Sequence, residues 1–492
     1  MRWGWPGPGP TGAAFGLGAV MATGQAPLGF WWLALPALGA LTVLICRAPD
    51  ARSAAWLGLF GGAGHFGLAL SWLIQPFLIE PEVHGLMAPF ALLLMAFGLA
   101  LFWAAAAALS AAATGWHRPL AFAVALTLAE LLRGHVFTGF PWAMVGHVFI
   151  DTPAAQLAAL GGATGLTLLA TLATTLPVAF RLRGLVAGVA LLAAGFAFGL
   201  WRLDQPEPAA RPLTVRLVQP NAEQGLKWDP ERARAFFDRL LEMTAAAPRP
   251  DLVIWPETAV PYMLEHEPML APMIAGAAGG ATVITGIQRA EGARYYNSLV
   301  AIAPDASVAA RYDKHHLVPF GEYIPFGDLA YDWFGLSAFA AQQGAGYTPG
   351  PGPQVLDLGP QIGRILPLIC YEAIFPQDLR APTRPDWLLQ ITNDAWFGTL
   401  TGPYQHLAQA RLRAIEQGLP MIRVANTGIS GVIDAKGRVL SFLPLNRAAH
   451  LDAALPPGLP PTVYGRWGDG PVIGLMALLA LLLALPPRRK RA

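Results

Sequence analysis

The sequence predicts a polytopic α-helical membrane part of about eight spans joined to a mixed α/β layered domain. Three observations carry that expectation. First, the 492 residues are 54% hydrophobic and only 13% charged, against roughly 25% charge in an average soluble domain. Second, the charge is uneven: residues 1–201 and 466–487 are nearly free of charge, whereas 211–460 reads as an ordinary globular sequence long enough to bury its own core. Third, short β-rich runs alternate with helical patterns inside 211–460.

A spanning helix needs about 20 mostly apolar residues. Stretches of that kind fall near 11–24, 27–46, 54–78, 86–112, 118–133, 155–180, 184–201 and 470–487. The first is short and follows Arg2, so it reads either as a retained helix or as a signal peptide. Lys and Arg in short loops favour the cytoplasmic side. Arg47 and Arg52, His117 and Arg118, Arg181 and Arg183, and the terminal "PPRRKRA" mark one side; the acidic "IEPEVHG" and the Lys/Arg-free "GHVFTGFPWAMVGHVFIDTP" mark the other. Both termini are therefore expected in the cytoplasm, with 1–205 and 466–492 as the membrane parts and 211–460 on the opposite face. In the loop "RGHVFTGFPWAM", Trp142 has two readings: an interfacial aromatic anchor, or the lining of a lipid entrance.

In 211–460 strands are expected at "LTVRLVQP" (213–220), "DLVIWPE" (251–257), "ATVITGIQ" (281–288), "NSLVAIAP" (297–304), "IGRILPLICYE" (362–372), "DWLLQITND" (386–394) and "PMIRVANTG" (420–428). Helices are expected over 230–247 and 404–418, and a hairpin turning at Lys436-Gly437. Three strand-like runs end in reactive side chains: Glu257, Lys314 and Cys370. Strand ends are where layered α/β domains gather their sites. Each residue alone has a structural reading, as a capping carboxylate, a surface charge and a buried small hydrophobe. Together they make a base, a cation and a soft nucleophile. Only a thiolate attacks, so Cys370 needs a proton acceptor, a role open to Glu257. Lys314 and backbone N–H groups after Cys370 would stabilise the oxyanion.

Two cysteines cannot form a disulfide framework, and Cys46 lies in the apolar "ALTVLIC". A Cys-His nucleophile scheme would draw on His315, His316 or His406, without a local pattern around Cys370 to support it. No metal is expected, because adjacent His-His lacks a second ligand pair at useful spacing. A net charge of +2 with scattered basic residues excludes a nucleic-acid partner.

The motifs "VIWPETAVP" (253–261), "YDKHHLVPFGEYIPF" (312–326), "LICYEAIFP" (368–376) and the run from "NDAWFG" to "NTGISGVID" (393–434) resemble the apolipoprotein N-acyltransferases, a branch of the carbon-nitrogen hydrolase (nitrilase) superfamily. The resemblance extends over essentially the whole chain, including "LRGHVFTGFPW". It implies a nitrilase-like αββα sandwich outside a bacterial inner membrane, on the periplasmic side, with a Glu257-Lys314-Cys370 triad. Glu322 matches the family's second glutamate, orienting Lys314; Tyr371 and Glu372 match the residues beside its cysteine. Trp228 in "LKWDP" matches a tryptophan at the site mouth, and Trp396 in "NDAWFG" joins Trp142 and Trp228 as expected substrate-binding residues. The implied reaction passes an acyl chain from a glycerophospholipid, phosphatidylethanolamine by expectation, through a thioester on Cys370. The acceptor is the α-amino group of a diacylated apolipoprotein. No cofactor is implied, membrane lipids are the surroundings, and a monomer suffices. Segment 327–353, apolar in its middle and ending in Gly and Pro, reads as a lid that keeps water from the thioester. Thr399 and Leu412 depart from the family pattern without touching the triad. The alternatives are a membrane-tethered amidase or nitrilase that passes the acyl group to water, and a non-enzymatic lipoprotein-binding protein.

Overall fold

A computed structural model describes residues 6–324 and 346–484. The larger part of the expected lid, 327–345, and the basic tail lie outside them. Two compact units emerge: residues 1–205, 400–412 and 461–492 form one, and 206–399 with 413–460 form the other.

In the first unit, helices occupy the positions of the apolar stretches: Pro8–Ala22, Trp31–Arg47, Ala51–Ala69 continuing into Ser71–Leu78, Ala88–Ser110, His117–Arg133, Ala158–Asp204 and Gly470–Ala484. Among the described residues two helical segments, Pro81–Ser110 and Pro153–Asp204, are long and apolar enough to cross a membrane, or three if the bent pair Ala51–Ala69 and Ser71–Leu78 is one span. The expected eight crossings are thus not reproduced by length and composition: Trp31–Arg47 and Gly470–Ala484 are apolar but short.

Small residues let these helices touch backbone to backbone, as packing within lipid favours. A Cβ on Gly18 would sit 1.8 Å from the Gly61 carbonyl oxygen, and one on Gly64 would sit 2.0 Å from that of Phe15. Segment Ala158–Asp204 breaks at Arg181, where φ is 56°. The second leg folds back on the first, so that a Cβ on Gly184 would lie 1.9 Å from the Leu176 carbonyl oxygen and one on Gly188 would lie 2.5 Å from that of Ala173. The break falls between the expected spans 155–180 and 184–201.

From Gly139 to Met144 the loop after Arg133 is largely buried and outside any helix, so its carbonyls need other donors. Arg133 Nη1 donates to the carbonyls of Phe140 and of Trp142, the latter at 2.9 Å. Glu130 anchors that guanidinium at 2.8 Å and accepts from the Trp103 indole at 2.8 Å. His65 Nε2 meets the Ala143 carbonyl at 2.9 Å and Gln25 Nε2 meets that of Met144 at 3.1 Å.

The second unit holds two six-stranded sheets. The first has the order β12-β1-β2-β3-β4-β5, from β12 (Ala449–Ala454), β1 (Thr214–Gln219), β2 (Leu252–Ile254), β3 (Thr282–Glu291), β4 (Arg294–Ile302) and β5 (Val308–Asp313). The second has the order β11-β10-β9-β8-β7-β6, from β11 (Val439–Leu443), β10 (Ser430–Ile433), β9 (Met421–Ala425), β8 (Trp387–Thr392), β7 (Arg364–Ile369) and β6 (Leu356–Asp357). Parallel pairs β1-β2-β3 and β7-β8-β9 make the centres, and antiparallel strands flank them.

Helices Pro230–Ala245 and Leu270–Ala278 cover the first sheet through Phe237, Leu240, Leu270 and Ile274, packed on Val253, Val283 and Val300. Asp229 caps the first of these helices by accepting from the backbone of Glu231 and Arg232. The two sheets are joined by polar contacts: Ser430 Oγ donates to Gln219 Oε1 at 2.6 Å, and the Ala222 N–H donates to Asn426 Oδ1 at 2.8 Å. The hairpin turn falls at the expected place, with Gly437 at φ 78°. Edge strands β6 and β12 were not expected, being short or mixed in polarity.

Replacing Gly184 by alanine forces its methyl onto a backbone carbonyl and should destabilise the first unit by about 1–3 kcal/mol, seen as a lowered melting temperature of the purified protein in detergent.

Candidate active site

The three reactive residues each follow the end of a strand: Glu257 after β2, Lys314 after β5 and Cys370 after β7. Strand β2 ends at Ile254, and Trp255-Pro256 lead to Glu257. There the chain turns sharply: Thr258 has φ 43°, a cost of order 1–3 kcal/mol for a β-branched residue, of the kind that persists only where the surroundings impose it. Gly286 of β3 permits the turn. A Cβ there would lie 2.6 Å from both the Glu257 Cα and the Pro256 carbonyl oxygen. The Ala259 N–H in return donates to the Gly286 carbonyl at 2.9 Å.

Glu257 is buried and its carboxylate is fixed from three directions. Oε1 accepts from Asn297 Nδ2 at 2.7 Å and lies 3.5 Å from Lys314 Nζ. Oε2 accepts from the Asn393 backbone N–H at 2.8 Å. Asn297 starts the apolar part of β4, and Asn393 directly follows β8, so base placement draws on both sheets.

Lys314 follows β5, and its own N–H donates to the Asn297 carbonyl at 2.9 Å. Its ammonium is buried and sits 2.9 Å from the Glu322 carboxylate. Glu322 is held in turn by Asn297 Nδ2 at 3.0 Å and the Val318 N–H at 2.9 Å. Two carboxylates around one ammonium outweigh its burial and raise the Lys314 pKa well above the ordinary lysine value, so Lys314 stays charged across all working pH. Past the undescribed segment, the chain returns to the same place: the Tyr347 N–H donates to the Glu322 carbonyl and the Gly350 N–H to that of Lys314, each at 2.8 Å.

Cys370 follows β7 directly, with φ 51°, a left-handed position unusual for a cysteine. Its carbonyl accepts from Gln390 Nε2 at 3.2 Å. Burial pushes the thiol up, the Glu257 charge adds to that, and Lys314 acts against both; the balance lies well above the ordinary thiol value. The resting group is therefore the thiol, and attack requires a proton acceptor.

Glu372 is fully buried and ties the cysteine turn to the segment around Lys314. Oε1 accepts from the Tyr312 hydroxyl at 2.8 Å and from the backbone N–H groups of His315 at 2.8 Å and His316 at 3.2 Å. Oε2 accepts from the Ile369 N–H at 2.7 Å. Tyr371 is also buried, edge-on to Phe375 with ring centroids 4.8 Å apart.

His315, His316 and Asp378 bring one possible metal-ligand atom each within 4.8 Å of one another. His315 is held on both ring nitrogens, by Glu372 at 2.8 Å and Asp378 at 3.5 Å, and His316 by Asp378 at 2.9 Å. This is the arrangement of an ion-paired imidazolium, and His315 is raised to about 10 by these two carboxylates against its burial.

The tryptophans fall in different places. Trp228 is half-buried on the segment before helix Pro230–Ala245, with Lys227 Nζ 5.5 Å from its ring centroid. Trp396 is half-buried in the turn Asp394–Phe397. Trp142 is 1% exposed in the first unit, its indole N–H donating to Gln405 Oε1 at 2.6 Å and its ring 4.6 Å from that of Trp72. Residues that sequence reasoning did not single out are Asn297, Asn393, Tyr312, Asp378 and Lys227. Asn393 acts on Glu257 through its backbone N–H, which any residue supplies, so its identity gave no signal. The others show themselves only in three dimensions.

Because the folded-state pKa of His315 lies above its ordinary 6.5, its ion pairs stabilise the fold fully below that value and are lost as pH rises toward about 10. His315→Gln should therefore lower the melting temperature more at pH 6 than at pH 10.

Residues 17–176 match the apolipoprotein N-acyltransferase N-terminal domain and residues 214–459 match the carbon-nitrogen hydrolase domain. The apolipoprotein N-acyltransferase of Sinorhizobium medicae is 39% identical over 477 residues, covering 90% of this chain and 89% of the relative. That of Caulobacter vibrioides is 40% identical over 460 residues, covering 88% and 84%. Among solved structures, a carbon-nitrogen hydrolase superfamily protein from Xanthomonas campestris aligns at 23% identity and a TM-score of 0.36, covering 49% of this chain and 90% of that one. With both domains matched in order and relatives similar along nearly its whole length, the chain belongs to the apolipoprotein N-acyltransferase family.

Proposed function

We propose that this protein N-acylates lipoproteins by a two-step exchange through Cys370. The supporting observation is the buried cluster itself: a thiol on a left-handed turn, together with a carboxylate and an ammonium 3.5 Å apart, in a chain of this family. In the first half-reaction Glu257 takes the thiol proton as Sγ attacks an ester carbonyl of a glycerophospholipid, phosphatidylethanolamine by preference. The C–O bond breaks, Glu257 returns the proton to the leaving alcohol, and a lysophospholipid departs. In the second, the α-amino group of a diacylglyceryl-cysteine attacks the thioester. Its proton passes through Glu257 to the departing sulfur, and an amide remains.

Lys314 holds positive charge for the tetrahedral oxyanion. Glu322 keeps that ammonium aimed, and Glu372 keeps the Lys314 segment against the cysteine turn. Trp228 and Trp396 line the substrate approach in this reading, and Trp142, in the first unit, is the third substrate-binding residue. Tyr371 shapes the turn. Neither metal nor cofactor takes part in this scheme, and one copy of the chain is enough.

Both substrates keep their acyl chains in a bilayer, which is the reason for joining such a site to apolar helices. In this reading the helices at all eight apolar positions cross the inner membrane, with both termini cytoplasmic and the second unit periplasmic. Neighbouring helices and tilt would accommodate the short ones.

The test is purified protein with phosphatidylethanolamine vesicles, with and without a diacylated lipopeptide. Without acceptor, mass spectrometry should find one acyl group on Cys370; with acceptor, the acyl group should move to the peptide amine. Release of free fatty acid instead would identify a hydrolase, and an unmodified Cys370 would overturn the scheme. Glu257→Gln should keep the melting temperature within a few degrees and lower the acylation rate by at least about 100-fold, the usual weight of a general base.

A further inference from the structure

Lys227 is a buried lysine that the scheme above leaves unused. It lies on the segment between β1 and helix Pro230–Ala245, next to Trp228. Its side chain runs along a small cavity lined by Pro220, Ala222, Phe236, Ala259 and Pro261. Nζ reaches the strained turn at the end of β2, donating to Thr258 Oγ1 at 2.7 Å and to the Glu257 carbonyl at 3.4 Å. An ammonium is costly to bury without a paired carboxylate, and both of these partners are neutral. Thr258, at φ 43°, is the outlier that this ammonium touches. Gly286 supports the same turn through backbone contacts, so the turn is held from the sheet and from the Lys227 segment.

We propose that Lys227 is a positioning residue for Glu257: its ammonium pins the Glu257-Thr258 backbone and thereby couples the Trp228-bearing segment to the aim of the base. The inference rests on Glu257 acting as the base for Cys370. It gives the buried ammonium a purpose, since a base misplaced by about 1 Å can lose 100-fold in rate. It also makes the arrangement sensitive to alkali. Burial lowers Lys227 to about 8, and among the described residues the charge acting against that is Glu257; the Trp228 ring and the cavity residues named carry none. Below that pH the clamp is a charge-assisted hydrogen bond, and above it a weaker neutral one.

The test needs no lipid. Full-length protein in detergent is treated with iodoacetamide from pH 6 to 10, and alkylation of the Cys370 peptide is followed by mass spectrometry, with the Cys46 peptide as internal reference. In the wild type the Cys370 rate should show an inflection near pH 8, beyond the rise expected of a lone thiol. Lys227→Met should slow Cys370 at pH 7 by about 10- to 100-fold, erase that inflection and leave Cys46 unchanged. Should Lys227→Met fail to fold, Thr258→Val, which removes the acceptor, should give the same loss, and Thr258→Ser, which keeps it, should restore the wild-type profile.

In the phospholipid assay these losses should fall on the acylation rate constant, with KM within about twofold of the wild type. Wild-type alkylation profiles in Lys227→Met, or in Thr258→Val, would overturn the proposal, as would a rise in KM alone. Absence of acyl transfer by the wild type would instead sink the proposed function, while the alkylation profiles would still decide the role of Lys227.

Discussion

The site depends on a single buried ammonium. Lys314 stands within 2.9 Å of Glu322 and 3.5 Å of Glu257, and neither carboxylate would tolerate its burial without it. Remove that charge and two acids face each other in a dry pocket, bridged only by the Asn297 amide. The geometry around it is over-determined for this reason. Its backbone is tied to Asn297 and Gly350, its carboxylate partner is tied to Val318, and its segment is drawn to the cysteine turn by Glu372. A cation so enclosed by opposite charge cannot serve as a base. Its use is to be present, oriented and permanent.

The thiol is set up in the opposite way. Burial and the neighbouring carboxylate keep Cys370 protonated at rest, although its backbone is strained into a left-handed position. A thiol held in reserve is protected from stray oxidants and electrophiles, which react with thiolates. In the proposed scheme reactivity waits for a substrate carbonyl placed where Glu257 can take the proton as the sulfur attacks, and the same three residues then serve both the resting and the loaded site.

Much of this was legible in the sequence, for definite physical reasons. Strand runs ending in Glu257, Lys314 and Cys370 could be seen because apolar β patterns stop abruptly at polar residues, and the hairpin at Lys436-Gly437 because its turn needs a positive φ. Strand β12 was hidden, since "AHLDAA" at a sheet edge needs no apolar alternation. The partners of the triad were hidden for a different reason. Asn393 contributes a backbone N–H, which any residue supplies, and Lys227 sits in a polar, loop-like stretch where a lysine is ordinarily solvated. In the first unit the helix positions followed from hydropathy, and the chain reversal at Arg181 agreed with the charge-rich "RLR". What hydropathy did not convey is how short some of those helices are.

Glu257 comes from the first sheet, while the N–H that orients it, from Asn393, comes from the second. Neither half of the sandwich therefore carries an aligned base and nucleophile on its own. In the proposed scheme a chain bearing one completed layer would leave phospholipid esters untouched, and competence would arrive only with the closing of the two layers.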